Sequence, residues 1–252
     1  MKKIVILISI IFPTFLVAQY GESIRTGRPG QAIGGFVLGQ NVFQIQTGYN
    51  FNQVKNESSS RFTTSNTTVF RFGISDRIEL SSLVNWQTDR ISSDSLLSSR
   101  GGISSTQIGG RINFTRNKGW LPTIGLQGRI LFKNNRAPYR RESFGSKFVL
   151  ATGNKINDKV SLVTNWGAVW SGNNQGPNYI YIINFSYSVS DKIGAFAEIY
   201  GNLDNVSTNY DAGLSYLVNN DFQLDLSTGV QSNNEISDWF VDFGLSWRFD
   251  WR

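Results

Sequence analysis

The residues able to do chemistry in this 252-residue chain are carboxylates and cations, because it has no histidine and no cysteine. That removes the Ser-His-Asp relay, the imidazole and thiolate ligand sets of zinc sites, and the thiol nucleophile. No P-loop, dinucleotide fingerprint or EF-hand spacing occurs. A serine–lysine or paired-carboxylate centre stays formally open, but no spacing points to one. The expectation is a protein that is not an enzyme, with no cofactor and no metal. What remains is a set of ionisable residues spaced along alternating stretches: Arg71, Arg77, Glu79, Arg111, Arg129, Lys147, Glu198, Asp211, Asp225, Asp242 and Arg248. Their order is uneven. The earlier ones are mostly basic, and the later ones are acidic except Arg248.

The elements that would position these charges are strands. In Phe222–Val230 the residues Phe222, Leu224, Leu226, Thr228 and Val230 share one face, and Gln223, Asp225, Ser227 and Gly229 share the other. That is the period of a strand with one apolar side. From Trp239 to Phe249 the odd positions are apolar, and Asp242, Gly244, Ser246 and Arg248 take the opposite face with Phe240. Twelve such segments are predicted, near 41–51, 62–73, 77–88, 103–115, 120–132, 144–156, 159–170, 179–189, 192–201, 209–218, 221–231 and 237–249. Short turn signals (Ser75-Asp76, Asn117-Lys118, Asn157-Asp158, Ser190-Asp191, Asn219-Asn220) alternate with longer polar connections near 52–60, 90–102, 133–143, 171–177, 202–208 and 232–236.

An even number of strands with tight turns at one end and longer loops at the other predicts an all-β fold, a transmembrane antiparallel up-and-down β-barrel of about 12 strands. Hydrocarbon offers no hydrogen-bond partner, so a sheet spans a membrane only by closing on itself. Strands of this length suffice to cross. A soluble barrel or sandwich would show the same alternation with the apolar face turned in. Against it, the polar face is rich in Gly, Ser, Asn and Gln rather than Lys and Glu. Twelve strands also enclose more space than side chains fill. Trp86, Trp120, Trp166, Trp170, Tyr179, Trp239 and Trp251 are expected near strand ends, as interface anchors.

The first residues read as an export signal. Met1-Lys2-Lys3 is a charged start, Ile4–Phe12 is apolar, and Phe15-Leu16-Val17-Ala18 leads to cleavage before Gln19. The apolar run is too short for a spanning helix, which needs about 20 residues. The domain reading is a signal peptide at 1–18, an N-terminal periplasmic or plug-like segment at 19–40, and the barrel at 41–252. The middle segment is Gly-rich and polar. If it enters the lumen, Arg25 and Arg28 would meet the acidic wall.

Lys plus Arg total 24 and Asp plus Glu 18, a net charge of +6. The basic residues are scattered, so no nucleic-acid arm or polybasic lipid patch is expected. The expected partners are outer-membrane lipids, a small-molecule solute and the barrel-assembly machinery, for a monomer in the outer membrane of a Gram-negative cell. Gly244, Trp247 and Phe249 resemble the C-terminal assembly signal of such barrels, although Asp250, Trp251 and Arg252 follow.

The order of several segments resembles the outer-membrane transporters of the phenol-degradation meta-pathway type. The matching pieces are Thr26–Gln31, Phe43–Tyr49, Arg71–Leu80, Ser190–Tyr200 and Asp211–Leu217. Gly27 and Gly30 stand where that family more often has Asp. The resemblance spans about residue 24 to the end. It implies a single-chain barrel and a channel or transporter role, with no known substrate.

Two functions follow. One is passive diffusion of small solutes through a narrow polar lumen, with the basic and acidic walls setting a transverse field. The other is a structural or adhesive outer-membrane barrel with a blocked lumen, braced by those same charges and acting through its outer loops.

Overall fold

The computed structural model describes residues 21–93, 96–133, 137–173, 175–204, 207–231 and 237–251. The expected signal at 1–18 and the connection at 232–236 lie outside these. Twelve strands form one sheet: β1 (Val42–Lys55), β2 (Ser59–Gly73), β3 (Ile78–Ser93), β4 (Leu96–Thr115), β5 (Thr123–Leu131), β6 (Gly145–Lys155), β7 (Val160–Trp170), β8 (Asn178–Ser188), β9 (Ile193–Asn202), β10 (Ser207–Asn219), β11 (Phe222–Gln231) and β12 (Ser237–Asp250). Each strand pairs antiparallel with its sequence neighbours, and β1 pairs β12 to close the barrel. The closing seam runs from Val42↔Asp250 to Lys55↔Ser237 without a register shift.

Side-chain alternation then sorts the residues. Leu214, Leu224, Leu226, Phe243 and Trp247 are exposed on the outside. Among the described residues, buried polar side chains outnumber buried apolar ones. This inverts the usual arrangement of a soluble domain. It places the hydrophobic stripe of each strand where hydrocarbon would cover it. Aromatic side chains brace the seam from outside: Phe43 stacks on Trp251 at 5.9 Å and Tyr49 on Phe243 at 5.8 Å. Cross-strand aromatic pairs of this kind stabilise neighbouring strands.

The tight turns have local causes. Asn157 Oδ1 accepts from the backbone N–H groups of Lys159 and Val160, and Ser190 Oγ accepts from those of Lys192 and Ile193. Such side chains cap a reversal by replacing a backbone partner.

Several boundaries differ from those read off the sequence. Much of the expected loops at 52–60 and 90–102 is strand: β1 runs to Lys55, β2 starts at Ser59, β3 runs to Ser93 and β4 starts at Leu96. These hairpins continue past the apolar band. Their polar side chains suit water while the backbone ladder persists, so polarity alone misled. Conversely, β5 begins at Thr123, not 120. Lys118 and Leu121 close their own small bridge, and Pro122 has no N–H to give a ladder. Trp120, Trp170, Tyr179, Trp239 and Trp251 lie in turns or toward strand ends, but Trp86 and Trp166 sit well inside β3 and β7. Those two do not fit the expected interface placement.

Candidate functional site: the barrel lumen

Ten of the eleven ionisable residues singled out by alternation lie on strand positions that face the lumen. Arg71, Glu79, Arg111, Arg129, Glu198, Asp211, Asp225 and Arg248 are buried, and Lys147 and Asp242 are half-buried. The eleventh, Arg77, is not in the lumen. It sits in the turn before β3, exposed, and donates to the Phe114 carbonyl at 2.9 Å. Arg77 lies one residue before β3, where the chain is still turning and alternation does not set the direction of a side chain.

Because the strands close in chain order, β2–β6 and β9–β12 form facing walls. On the first wall Glu79 accepts both Arg71 Nε at 3.0 Å and Nη2 at 2.7 Å, and Arg111 Nε lies 3.9 Å away. A two-point guanidinium–carboxylate contact of this kind fixes both side chains. On the second wall Glu198 and Asp211 are direct register partners, and Asp225 of β11 lies diagonal to Asp242 of β12, whose own partner is Ser227. Asn184 Nδ2 donates to Glu198 at 2.8 Å.

Between the walls runs the chain that precedes β1. Arg248 holds its start, donating to the carbonyls of Gly21 and Glu22. Arg28 then reaches Asp225 (Nη2 to Oδ1, 2.9 Å) and also pairs with Asp242. The backbone N–H groups of Gln31 and Ala32 donate to Glu198. Ile33 makes two 2.8 Å bonds to the Asn165 carboxamide, one through its N–H and one through its carbonyl. Asn113 donates to the Gly35 carbonyl at 2.7 Å, Arg111 to that of Phe36 at 3.0 Å, and the Leu38 N–H donates to Glu79. The segment thus touches β12, β11, β9, β7, β4 and β3 in turn before entering β1.

The bed for Arg28 is made by two glycines. Gly48 and Gly244 are register partners across the seam, and a Cβ on either would lie 2.4 to 2.5 Å from the Arg28 guanidinium. Any larger residue would displace it. Gly244, expected in the assembly signal, is therefore also the floor of this contact. Trp247 and Phe249 of the same expected signal face outward and pack against each other at 4.7 Å.

Arg25 does not meet the acidic wall. Its guanidinium lies 5.8 Å from the Phe36 ring centroid, which Arg71 and Arg111 also approach, at 5.8 and 6.0 Å. One ring from the inner segment therefore faces three cations, a favourable arrangement for each against the ring quadrupole.

Beside the segment a cavity of ≈ 300 Å³ persists. Arg28, Phe196, Asn184, Ser161, Ser186 and Ser215 are among its lining residues. Its walls offer hydroxyl and amide groups together with the side chains of Phe36, Tyr187 and Phe196, suited to small solutes that carry both polar and apolar parts.

A further cluster sits toward the opposite end. Asp89, fully buried, accepts from Thr63 (2.8 Å), Gln87 (2.9 Å), Arg100 (2.8 Å) and the Tyr139 hydroxyl (3.0 Å). Burial, then the hydrogen bond to Asp89, raises the Tyr139 phenol above its ordinary pKa. Asp89 lies one residue past the strand expected at 77–88, whereas β3 continues to Ser93 and keeps its alternation there. Gln44, Gln46, Asn113, Asn165 and Asn184 are also buried in the lumen. They follow the same alternation, but a search for charged groups passes over amides.

Residues 26–249 match the family model described as "Putative MetA-pathway of phenol degradation". The chain belongs to that family. No curated protein matches the chain by sequence. Among solved structures, this family member is similar in fold to an outer membrane channel from Pseudomonas putida F1, at 12% identity and TM-score 0.70, covering 88% of this chain and 99% of that one. The KdgM porin in complex with disordered oligogalacturonate is 12% identical with TM-score 0.55, over 80% and 99% of the two chains. The toluene transporter TbuX of Ralstonia pickettii is 10% identical with TM-score 0.50, over 85% and 90%. At these identities the likeness speaks to the barrel architecture.

Proposed function

We propose that this family member is an outer-membrane channel through which small solutes diffuse passively, its bore narrowed by the segment 21–41. The observation that carries this is the inversion of the barrel: an apolar exterior around a polar interior that keeps a hydroxyl-lined cavity beside the inner segment. Twelve strands give a bore between the filled eight-stranded barrels and the open porins of 16–18 strands. The similar folds named above include a channel and a porin, which agrees with this reading. Residues 1–18 direct export, the barrel-assembly machinery reads the strand that carries Trp247 and Phe249, and the barrel works as a monomer among outer-membrane lipids. No enzymatic step is assigned to it. A purely structural or adhesive role is less well supported, since a cavity remains beside the segment.

Liposome swelling tests the proposal. Vesicles carrying the purified protein should swell in arabinose faster than protein-free vesicles, and progressively more slowly in glucose, sucrose and raffinose. Swelling equal to that of empty vesicles for every solute would refute passive passage.

A further inference from the structure

The register places Arg71, Ser81, Gly109, Arg129 and Lys147 as consecutive partners around β2–β6. Arg71 is spoken for by Glu79. Arg129 is buried and donates through Nη2 to Ser81 Oγ at 3.2 Å, while its Nη1 has no partner. It reaches Ser81 by crossing Gly109, where a Cβ would sit 2.8 Å from Arg129 Cγ. Lys147, directly across the β5–β6 ladder, makes no hydrogen bond or ion pair with any described residue. One row away, Arg111 Nε is also buried without a hydrogen-bond partner.

On the described inward face of this wall, Arg71, Arg111, Arg129 and Lys147 share one carboxylate, Glu79. Asp89 is already engaged by Arg100. Buried like charges repel strongly where water is scarce, and unpaired buried donors are costly. A fold that keeps two open cationic donors side by side, with a hydroxyl beside them, is prepared for an anion.

From this geometry we infer that Arg129, Lys147 and Ser81 form a binding site for the carboxylate of a small organic acid inside the lumen. Arg129 Nη1 and the Lys147 ammonium supply charged donors, and the Ser81 hydroxyl, which accepts from Arg129, has its own hydrogen to donate. Two adjacent charged donors, with the Ser81 hydroxyl on the far side of Arg129, suit the two oxygens of a carboxylate better than the larger oxygen set of a phosphate. The site deepens the channel reading by naming a solute class, and it rests on the lumen being reachable by solute.

Equilibrium binding tests the site without requiring conduction. The full mature protein, folded in neutral detergent at low chloride, is titrated calorimetrically with sodium benzoate, sodium phosphate and neutral benzamide. Benzoate should bind saturably, phosphate more weakly and benzamide not at all. The pair Arg129→Gln with Lys147→Met should weaken benzoate at least tenfold while keeping heat-modifiable gel mobility, and Arg61→Gln, on an exposed strand end, should leave it unchanged. Absence of saturable benzoate binding, or equal affinity in the double variant, overturns the site. Tighter phosphate binding overturns the carboxylate assignment. Should the double variant fail to fold, Lys147→Met alone decides: at least a threefold loss supports the site, and unchanged affinity overturns it. Vesicles that swell in neutral sugars while benzoate fails to bind would remove this site and leave the channel standing. Benzoate binding without swelling would do the reverse.

Discussion

Removing residues 21–38 is expected to raise single-channel conductance several-fold. The segment crosses the bore and is held at successive points: Arg248 on its start, Asp225 and Asp242 on Arg28, Glu198 on the Gln31 and Ala32 amides, Asn165 on Ile33, and Arg111 and Glu79 on Phe36 and Leu38. Those wall groups are polar, so water can solvate them once the segment is gone, and the barrel ladder does not depend on it. Arg28→Ala should give a smaller rise with frequent switching between levels. It frees one holding point and leaves two neighbouring carboxylates without their cation. Planar-bilayer recording reads both. Equal conductance in the deletion variant and the wild type would show that the segment does not limit the passage.

Glu79→Gln should destabilise the folded barrel by about 3–5 kcal/mol, the usual consequence of removing one member of a buried ion pair. The carboxylate is almost wholly buried, holds Arg71 at two points, lies near Arg111 and accepts the Leu38 N–H. A carboxamide would remove the one carboxylate that, among the described residues, pairs with the two buried guanidinium groups of Arg71 and Arg111, and would replace one acceptor oxygen with a donor facing donors. Urea unfolding in detergent, followed by loss of the heat-modifiable band, gives the difference. A change under about 1 kcal/mol, the scale of an exposed ion pair, would mean that water or another group already satisfies the cluster.

Strand number, handedness of the in–out alternation and the two charged walls were legible because each rests on a period of two. The same reasoning put Asp225 and Asp242 inward and Leu226 and Phe243 outward, where they are. It failed where the period stops carrying information. At Arg77 the chain is already turning. At Ser92 and Ser98 a polar surface hairpin keeps its ladder, so polar residues do not mark a loop. The contacts of the inner segment were legible only in part. Arg28 has acidic partners as charge complementarity suggests, but Arg25 turns to Phe36, a contact between irregular backbone positions that no periodicity encodes. The amide side chains that hold the segment, Asn113 and Asn165, carry no charge to betray them.

The most direct test of the inverted barrel uses the absence of native cysteine. Neighbouring positions on β4 are replaced one at a time, Gln107→Cys and Ile108→Cys, the first facing the lumen and the second exposed on the outer surface. In lipid vesicles a small charged methanethiosulfonate should modify the cysteine at 107 and spare the one at 108. Modification at 108 with protection at 107 would place water outside and the packed core within, contradicting a water-filled passage through this protein.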